Sequence, residues 1–314
     1  MTDRAAALAP GGVGNIGPGL DVLGMAVSGP GDRVLVERVP GRGVTVVDAG
    51  HPELPTDPEK NTAGIAAMQA LAYAGAASVG VRMTIVKGLP LAGGQGGSAA
   101  SAVAGAVAIN RLLGDPLDPL ILLTCALEAE ATVAGRHADN LAPALFGGVC
   151  LIRTVHPLDV IKLPIPESLR VVMAHPAQRL RTADARAVLP QFIERARVIQ
   201  QMANVAAMVA GFWSGDLALI GRGLDDQIAE PARAPLLRGF VEAKTAAMAA
   251  GALGGSISGA GPTSFFLATD DLSAQRIAHA VRDAYAAVEV ACDTRVAHIA
   301  PVGALGLDDE ATSA

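Results

Sequence analysis

The chain has 314 residues, enough for two domains of ordinary size and a substantial core. Lys and Arg number 24 against 30 Asp and Glu, so the net charge of −6 leaves no basic footprint for nucleic acid or an anionic membrane. Hydrophobic residues make up 51%, much of it alanine, and no run reaches the roughly 18 apolar residues of a bilayer span, so a soluble protein with neither partner is expected.

Ala5 to Ala9, the first apolar run, is too short for a signal-peptide core, which leaves export unsupported. It enters Pro10 to Gly24, PGGVGNIGPGLDVLG, predicted as a tightly turning loop in which Asn15 and Asp21 stand out. Strands are predicted at Arg33 to Val39 and Val44 to Val47, and an alanine-rich helix at Asn61 to Ala74. Val81, Met83 and Ile85 alternate with Arg82 and Thr84, the period of a half-buried strand. Ala99 to Leu113 reads as a helix stopped by Gly114, Asp115 and Pro116, and Leu120 to Ala131 as another, carrying Glu128 and Glu130. In GRHADNLAPALFGG, Gly135 to Gly148, the cluster of His137, Asp139 and Asn140 is the N-cap of a helix toward Phe146, a substrate site, or both.

After a strand at Gly148 to Arg153, the prolines between Thr154 and Ser168 mark the expected domain boundary. The second half is predicted as a strand at Leu169 to Ala174 and helices near Ala183 to Leu189, Phe192 to Ala210 and Pro235 to Ala250. A strand at Ser264 to Ala268, a helix at Gln275 to Ala287 and strands around Ala286 to Cys292 and Arg295 to Ile299 follow. Thr182 and Arg186, four apart, share a helix face, where a solvated charge is the default for Arg186. Cys125, Cys150 and Cys292 are scattered in apolar settings and suit reduced thiols in the cytoplasm better than disulfides or a metal site. The irregular alternation favours an α+β protein over a doubly wound sheet. The division expected is 1–160, 161–306 and a flexible acidic tail at 307–314.

The most informative segment is Leu89 to Ser101, LPLAGGQGGSAAS, between a strand and a helix. Its four glycines let successive N–H groups converge, and the unpaired amides of the first helical turn add partial positive charge, so the segment suits a polyphosphate. A plain structural turn is the alternative. Gly94, Gly96 and Ala99 match G-x-G-x-x-A, but the second strand and acidic residue of a dinucleotide fold are missing, and no lysine follows Gly97 as a Walker loop requires.

In order and spacing the polar, glycine-rich segments resemble the homoserine kinases of the GHMP small-molecule kinase superfamily. Pro10 to Gly24 is similar to the first motif (Asn15, Gly17, Gly19, Asp21, Gly24), Leu89 to Ser101 to the second and Gly251 to Thr263 to the third. LEAEATVAGRHADNLAPALFGG at 127–148 and EPARAPLLRGF at 230–240 narrow the resemblance to homoserine kinases. One departure stands in the second motif, usually G-L-G-S-S-A-A: here Gln95 replaces leucine and Gly97 the first serine.

The resemblance implies a two-domain α+β fold: an N-terminal ribosomal-protein-like domain with a left-handed βαβ unit and a C-terminal ferredoxin-like domain, the active site lying between them. It implies ATP-dependent phosphorylation of the homoserine hydroxyl, in threonine biosynthesis. The nucleotide would be held by Asn61 and by Pro90, Leu91, Ala92, Gly93, Gly94, Gln95, Gly96, Gly97, Ser98, Ala99 and Ala100, with Mg2+ on Ser98 and Glu130. Asp21 would take the homoserine ammonium and Arg186 and Arg233 its carboxylate, while Asn15, His137 and Asn140 orient the polar remainder. Thr182, with Asn15 and Asn140, is expected at the reacting hydroxyl; the proton goes to a phosphate oxygen, or to Asp21 as the competing base. Such kinases are often dimers, so a homodimer is one expectation. Alternatives are a GHMP kinase for another small alcohol, such as mevalonate or a sugar, and a metabolite-binding paralogue without turnover.

Overall fold

The computed structural model describes residues 3–133 and 135–307. The chain opens with β1 (Arg4–Gly14), β2 (Leu23–Val39) and β3 (Gly43–Asp48), followed by α1 (Thr62–Tyr73) and β4 (Gly80–Val86). Next come α2 (Gly97–Leu112), α3 (Pro119–Ala131), α4 (Leu141–Phe146), β5 (Val149–Val155) and β6 (Leu158–Leu163). The second half runs β7 (Arg170–Pro176), α5 (Thr182–Ala187), α6 (Arg195–Ser214), α7 (Leu217–Gly223), α8 (Ala229–Arg233) and α9 (Phe240–Ala249). It closes with β8 (Gly254–Ile257), β9 (Ser264–Ala268), α10 (Asp271–Ala287), β10 (Cys292–Ala297) and β11 (Leu305–Leu307).

Local chemistry places these ends. Asn61 caps α1 by accepting from the N–H groups of Ala63 and Gly64. Asp118 caps α3, with Pro119 in its first turn, and Asp270 and Ser273 form a reciprocal capping box at α10.

Two sheets result. The first holds seven strands in the path β11-β1-β2-β4-β3, with β5 pairing β2 and β6 pairing β5; β3 and β4 are parallel neighbours joined through α1. The second has the order β10-β7-β9-β8, antiparallel throughout, so its strands and two longest helices follow a split β-α-β-β-α-β course. α1, α2 and α3 cover one face of the first sheet in an alanine-rich core. A second core takes Val13, Leu23 and Met25 from the first sheet and Val171, Met173, Phe265 and Phe212 from the second half, so the two sheets share buried apolar surface.

Several expectations need correction. Pro10 to Gly14 belongs to β1 rather than to a loop, and a register shift at Pro10/Gly12 accommodates its glycines. Ala286 to Cys292 is no strand: α10 runs to Ala287 and Glu289 turns the chain at φ +59°. Residue 160 lies inside β6, and the change of sheet comes between Leu163 and Arg170. Leu307 pairs with Ala6, whereas the rest of the expected tail, 308–314, lies outside the described residues. Among the described residues no helix is long and apolar enough to cross a membrane, and Cys125, Cys150 and Cys292 are free thiols pushed up to about 12 by burial.

Candidate active site

A cavity of about 520 Å³ opens between the first sheet's loops and those of the second half. At one end sits the loop before α2. Gly96, at the N-cap, is left-handed (φ +71°) and no side chain caps the helix. Three successive carbonyls of the loop are claimed by neighbours: Gly93 O accepts from the Thr263 hydroxyl and N–H, Gly94 O from Ser258 Oγ at 2.6 Å, and Gln95 O from Gly12 N at 3.1 Å. In a planar trans peptide the next N–H points opposite to the carbonyl, so the amides of Gly94, Gln95 and Gly96 point away from those three partners. Those of Gly97 and Ser98 join them as first-turn donors without helical partners.

Gly94 is required here twice over, by its φ of +73° and because a Cβ would come within 2.6 Å of Ser258 O. Gly97 differs. A Cβ there meets nothing closer than Lys87 Nζ at 3.5 Å, so the serine usual in the motif would fit and its loss removes a hydroxyl without reshaping the loop.

Ser98 Oγ lies 3.0 and 3.4 Å from the carboxylate oxygens of Glu130, itself only 7% exposed and shifted upward by burial against the opposing bond from Ser98. Beneath the loop, Lys87 Nζ bonds Asp32, Ser101 Oγ (3.0 Å) and Gly97 O (3.2 Å), while Asp32 also accepts from the N–H groups of Gly88 and Leu89. This buried pair anchors the loop to β2 and β4. Sequence reasoning missed both residues: each continues the buried face of its strand, Asp32 with Val34 and Val36 and Lys87 with Met83 and Ile85, but each lies just outside the predicted strand and carries a charge that reads as solvated.

At the other end, Asn15, Ile16 and Gly17 follow β1 with φ of +71°, +43° and +71°, a strained run held by hydrogen bonds. Asn15 N–H donates to Asp139 Oδ2, its Oδ1 accepts from Asp21 N–H and its Nδ2 donates to Gly259 O, each at 3.1 Å. Asn15 thus braces the motifs against one another. Gly24 serves the same contact: a Cβ there would sit 1.6 Å from Asp139 O.

Asp21 and Arg186, expected to grip opposite ends of a zwitterion, grip each other at 2.8 Å, with His137 Nδ1 3.3 Å from Asp21. Burial depresses Arg186, but its bond to Asp21 and the charges of Asp139 and Glu130 outweigh that and raise it; burial lowers His137 against the pull of Asp21. Arg233, 3% exposed, donates to Ala185 O and Gly259 O, and no carboxylate bonds it among the described residues. Burial, then the charge of Arg186, lowers it. Arg186 Nε and Asn140 Oδ1 are buried with no partner among the described residues, which native structures rarely tolerate outside ligand sites. Asn140 holds the N-cap position of α4 but makes no capping bond. Asp139, fully enclosed, is pushed up to about 7 by burial and the charges of Asp21 and Glu130.

Most expected site residues therefore converge: Asn15, Asn61, residues 90–94, Gly96, Gly97, Ser98, Glu130, His137, Asn140, Thr182, Arg186 and Arg233 line one cavity, and Asp21 reaches it through Arg186 and His137. Three do not face it. The Gln95 side chain turns away to Thr263, and Ala99 and Ala100 are sealed in the core under α2. Asn61 lies at the wall, but its amide is committed to α1 and to Pro55 O.

A glycine loop before an uncapped helix, facing clustered acidic and basic side chains in a cavity between two sheets, is the architecture of a small-molecule kinase. Residues 61–148 match the family model "GHMP kinases N terminal domain" and 204–287 "GHMP kinases C terminal". The homoserine kinase of Chlorobium phaeobacteroides is 42% identical over 286 residues, 87% of this chain and 89% of that protein. The Arabidopsis thaliana homoserine kinase is 40% identical over 88% of this chain and 77% of its own. A crystal structure of homoserine kinase from Cytophaga hutchinsonii superposes with a TM-score of 0.94 at 42% identity, covering 98% of both chains. The chain belongs to the homoserine kinase family within the GHMP kinases.

Proposed function

We propose that the protein transfers the γ-phosphoryl group of ATP to the hydroxyl of L-homoserine, giving O-phospho-L-homoserine. The observation that carries the reading is the pairing, in one cavity, of outward-drawn carbonyls around residues 93–95 with an Asp21–Arg186 couple and a buried Arg233 that lacks a carboxylate. The amides of 94–98 would take the phosphates. The amino acid would exchange with the Asp21–Arg186 contact, its ammonium on Asp21 and its carboxylate on Arg186 and Arg233.

Ser98 and Glu130 fit a hard cation that keeps water and phosphate oxygens, since two adjacent oxygen ligands are all that Mg2+ asks of a protein. Bound there, Mg2+ would supply charge neutralisation for the transferring group. Arg186 and His137 already engage the oxygens of Asp21, so the proton is not routed through it. Thr182, first residue of α5 at the cavity wall, would orient the reacting hydroxyl while the proton leaves to a phosphate oxygen. Coupled ADP release with homoserine, mevalonate and galactose side by side tests the reading: turnover confined to homoserine supports it, and none with homoserine refutes it.

A further inference from the structure

Thr263 is wholly buried, and its hydroxyl has three polar neighbours: Gly93 O at 2.5 Å, His175 Nδ1 at 2.9 Å and Gln95 Nε2 at 3.4 Å. A hydroxyl owns one proton. Two oxygens 2.5 Å apart need a proton between them, and a carbonyl has none to give, so that proton lies on the line to Gly93 O. The hydroxyl must then accept from its other neighbours. Gln95 donates through its amide, and His175 must carry its proton on Nδ1, which both the neutral Nδ1–H tautomer and the imidazolium do.

We infer that Gln95 and His175 are positioning residues for the nucleotide: their donation to the Thr263 hydroxyl commits its proton to Gly93 O and fixes the Gly93–Gly94 peptide plane. Neither side chain touches the cavity described above. His175 stands on β7 and Thr263 just before β9, so the strut ties the phosphate loop to the second sheet. Gln95 stands where the motif usually has leucine, and its amide completes the strut. The inference rests on the loop being the ATP site.

The test measures steady-state KM and kcat for both substrates, with thermal melting to confirm folding. His175→Phe keeps a ring and removes the donor; it should raise the ATP KM about five- to tenfold, the effect of one hydrogen bond, with the homoserine KM unchanged. His175→Asn, whose amide N–H can replace Nδ1–H, should restore ATP KM to within about twofold of the parent, and Gln95→Leu, losing the longer bond, should raise it about two- to threefold. The inference is overturned if His175→Asn is as impaired as His175→Phe, which would make ring packing the cause, or if Gln95→Leu and His175→Phe leave ATP KM unchanged. Should His175→Phe fail to fold, Gln95→Leu and His175→Asn decide. Ser98→Ala separates the levels: a raised ATP KM there beside unaffected His175 and Gln95 variants refutes the strut alone, and no effect in any of them refutes the ATP site as well.

Discussion

The two ends of the cavity solve recognition by different means. The end proposed for phosphate is built from main chain: carbonyls held by Gly12, Ser258 and Thr263 turn the following amides the other way, and the side chains of Gln95, Ala99 and Ala100 face elsewhere. The end proposed for the amino acid is built from charged side chains, Asp21, Arg186, Arg233 and His137, already engaged with one another or with carbonyls. A main-chain site tolerates replacement of a residue whose side chain it does not use, which is how the second motif can carry Gly97. A side-chain site has no such latitude.

The largest effect expected of this contrast is at Arg233. Arg233→Ala should cost about 2–5 kcal/mol of homoserine binding, read as a rise in homoserine KM far above any change in ATP KM; equal changes in both would break the division between the ends. Asp139 sharpens it through pH. Its carboxyl titrates near 7 in the folded protein against an ordinary 3.8, so the native state holds the proton that the unfolded chain releases. The carboxyl therefore costs nothing below about pH 4, and stability falls as pH rises through about 7, by on the order of 4 kcal/mol. Asp139→Asn keeps an acceptor for the Asn15 N–H and should flatten that slope in denaturation midpoints taken from pH 4 to 8. The smallest effect belongs to the main-chain end: Gly97→Ser should change the ATP KM by less than about threefold, because the Cβ meets only ordinary contacts and the amide stays in place. A large loss there would show that side-chain volume governs the loop after all.

Much of the fold was legible because periodicity was clean: β4, α2, α3 and β9 stand where alternation and helix stops put them. β1 was hidden by its glycines, which read as turn residues but serve close contact: at Gly14 a Cβ would meet Asp139 and Asn140 at 2.5 Å. β6 was hidden by the prolines flanking it. The strand expected around Ala286 to Cys292 fails because α10 runs to Ala287 and Glu289 turns the backbone. At the site, residue types and spacing marked the glycine loop, whereas Asp21, Arg186 and Arg233 became a set through family resemblance alone. The burial of Asp139 and the Lys87–Asp32 anchor depend on what three distant segments bring together, which no local pattern encodes.

β11 carries a consequence for how the molecule is made. Residues 305–307 pair with residues 6–8, so one flank of β1 is without its neighbour until synthesis has passed residue 307. Until then the nascent first sheet presents open main-chain groups to any extended segment nearby. Closing that contact late, between segments as far apart in sequence as 6–8 and 305–307, makes its formation a slow, entropically costly event, and deleting residues 305–307 should leave a protein more prone to aggregate than to lose its catalytic cleft.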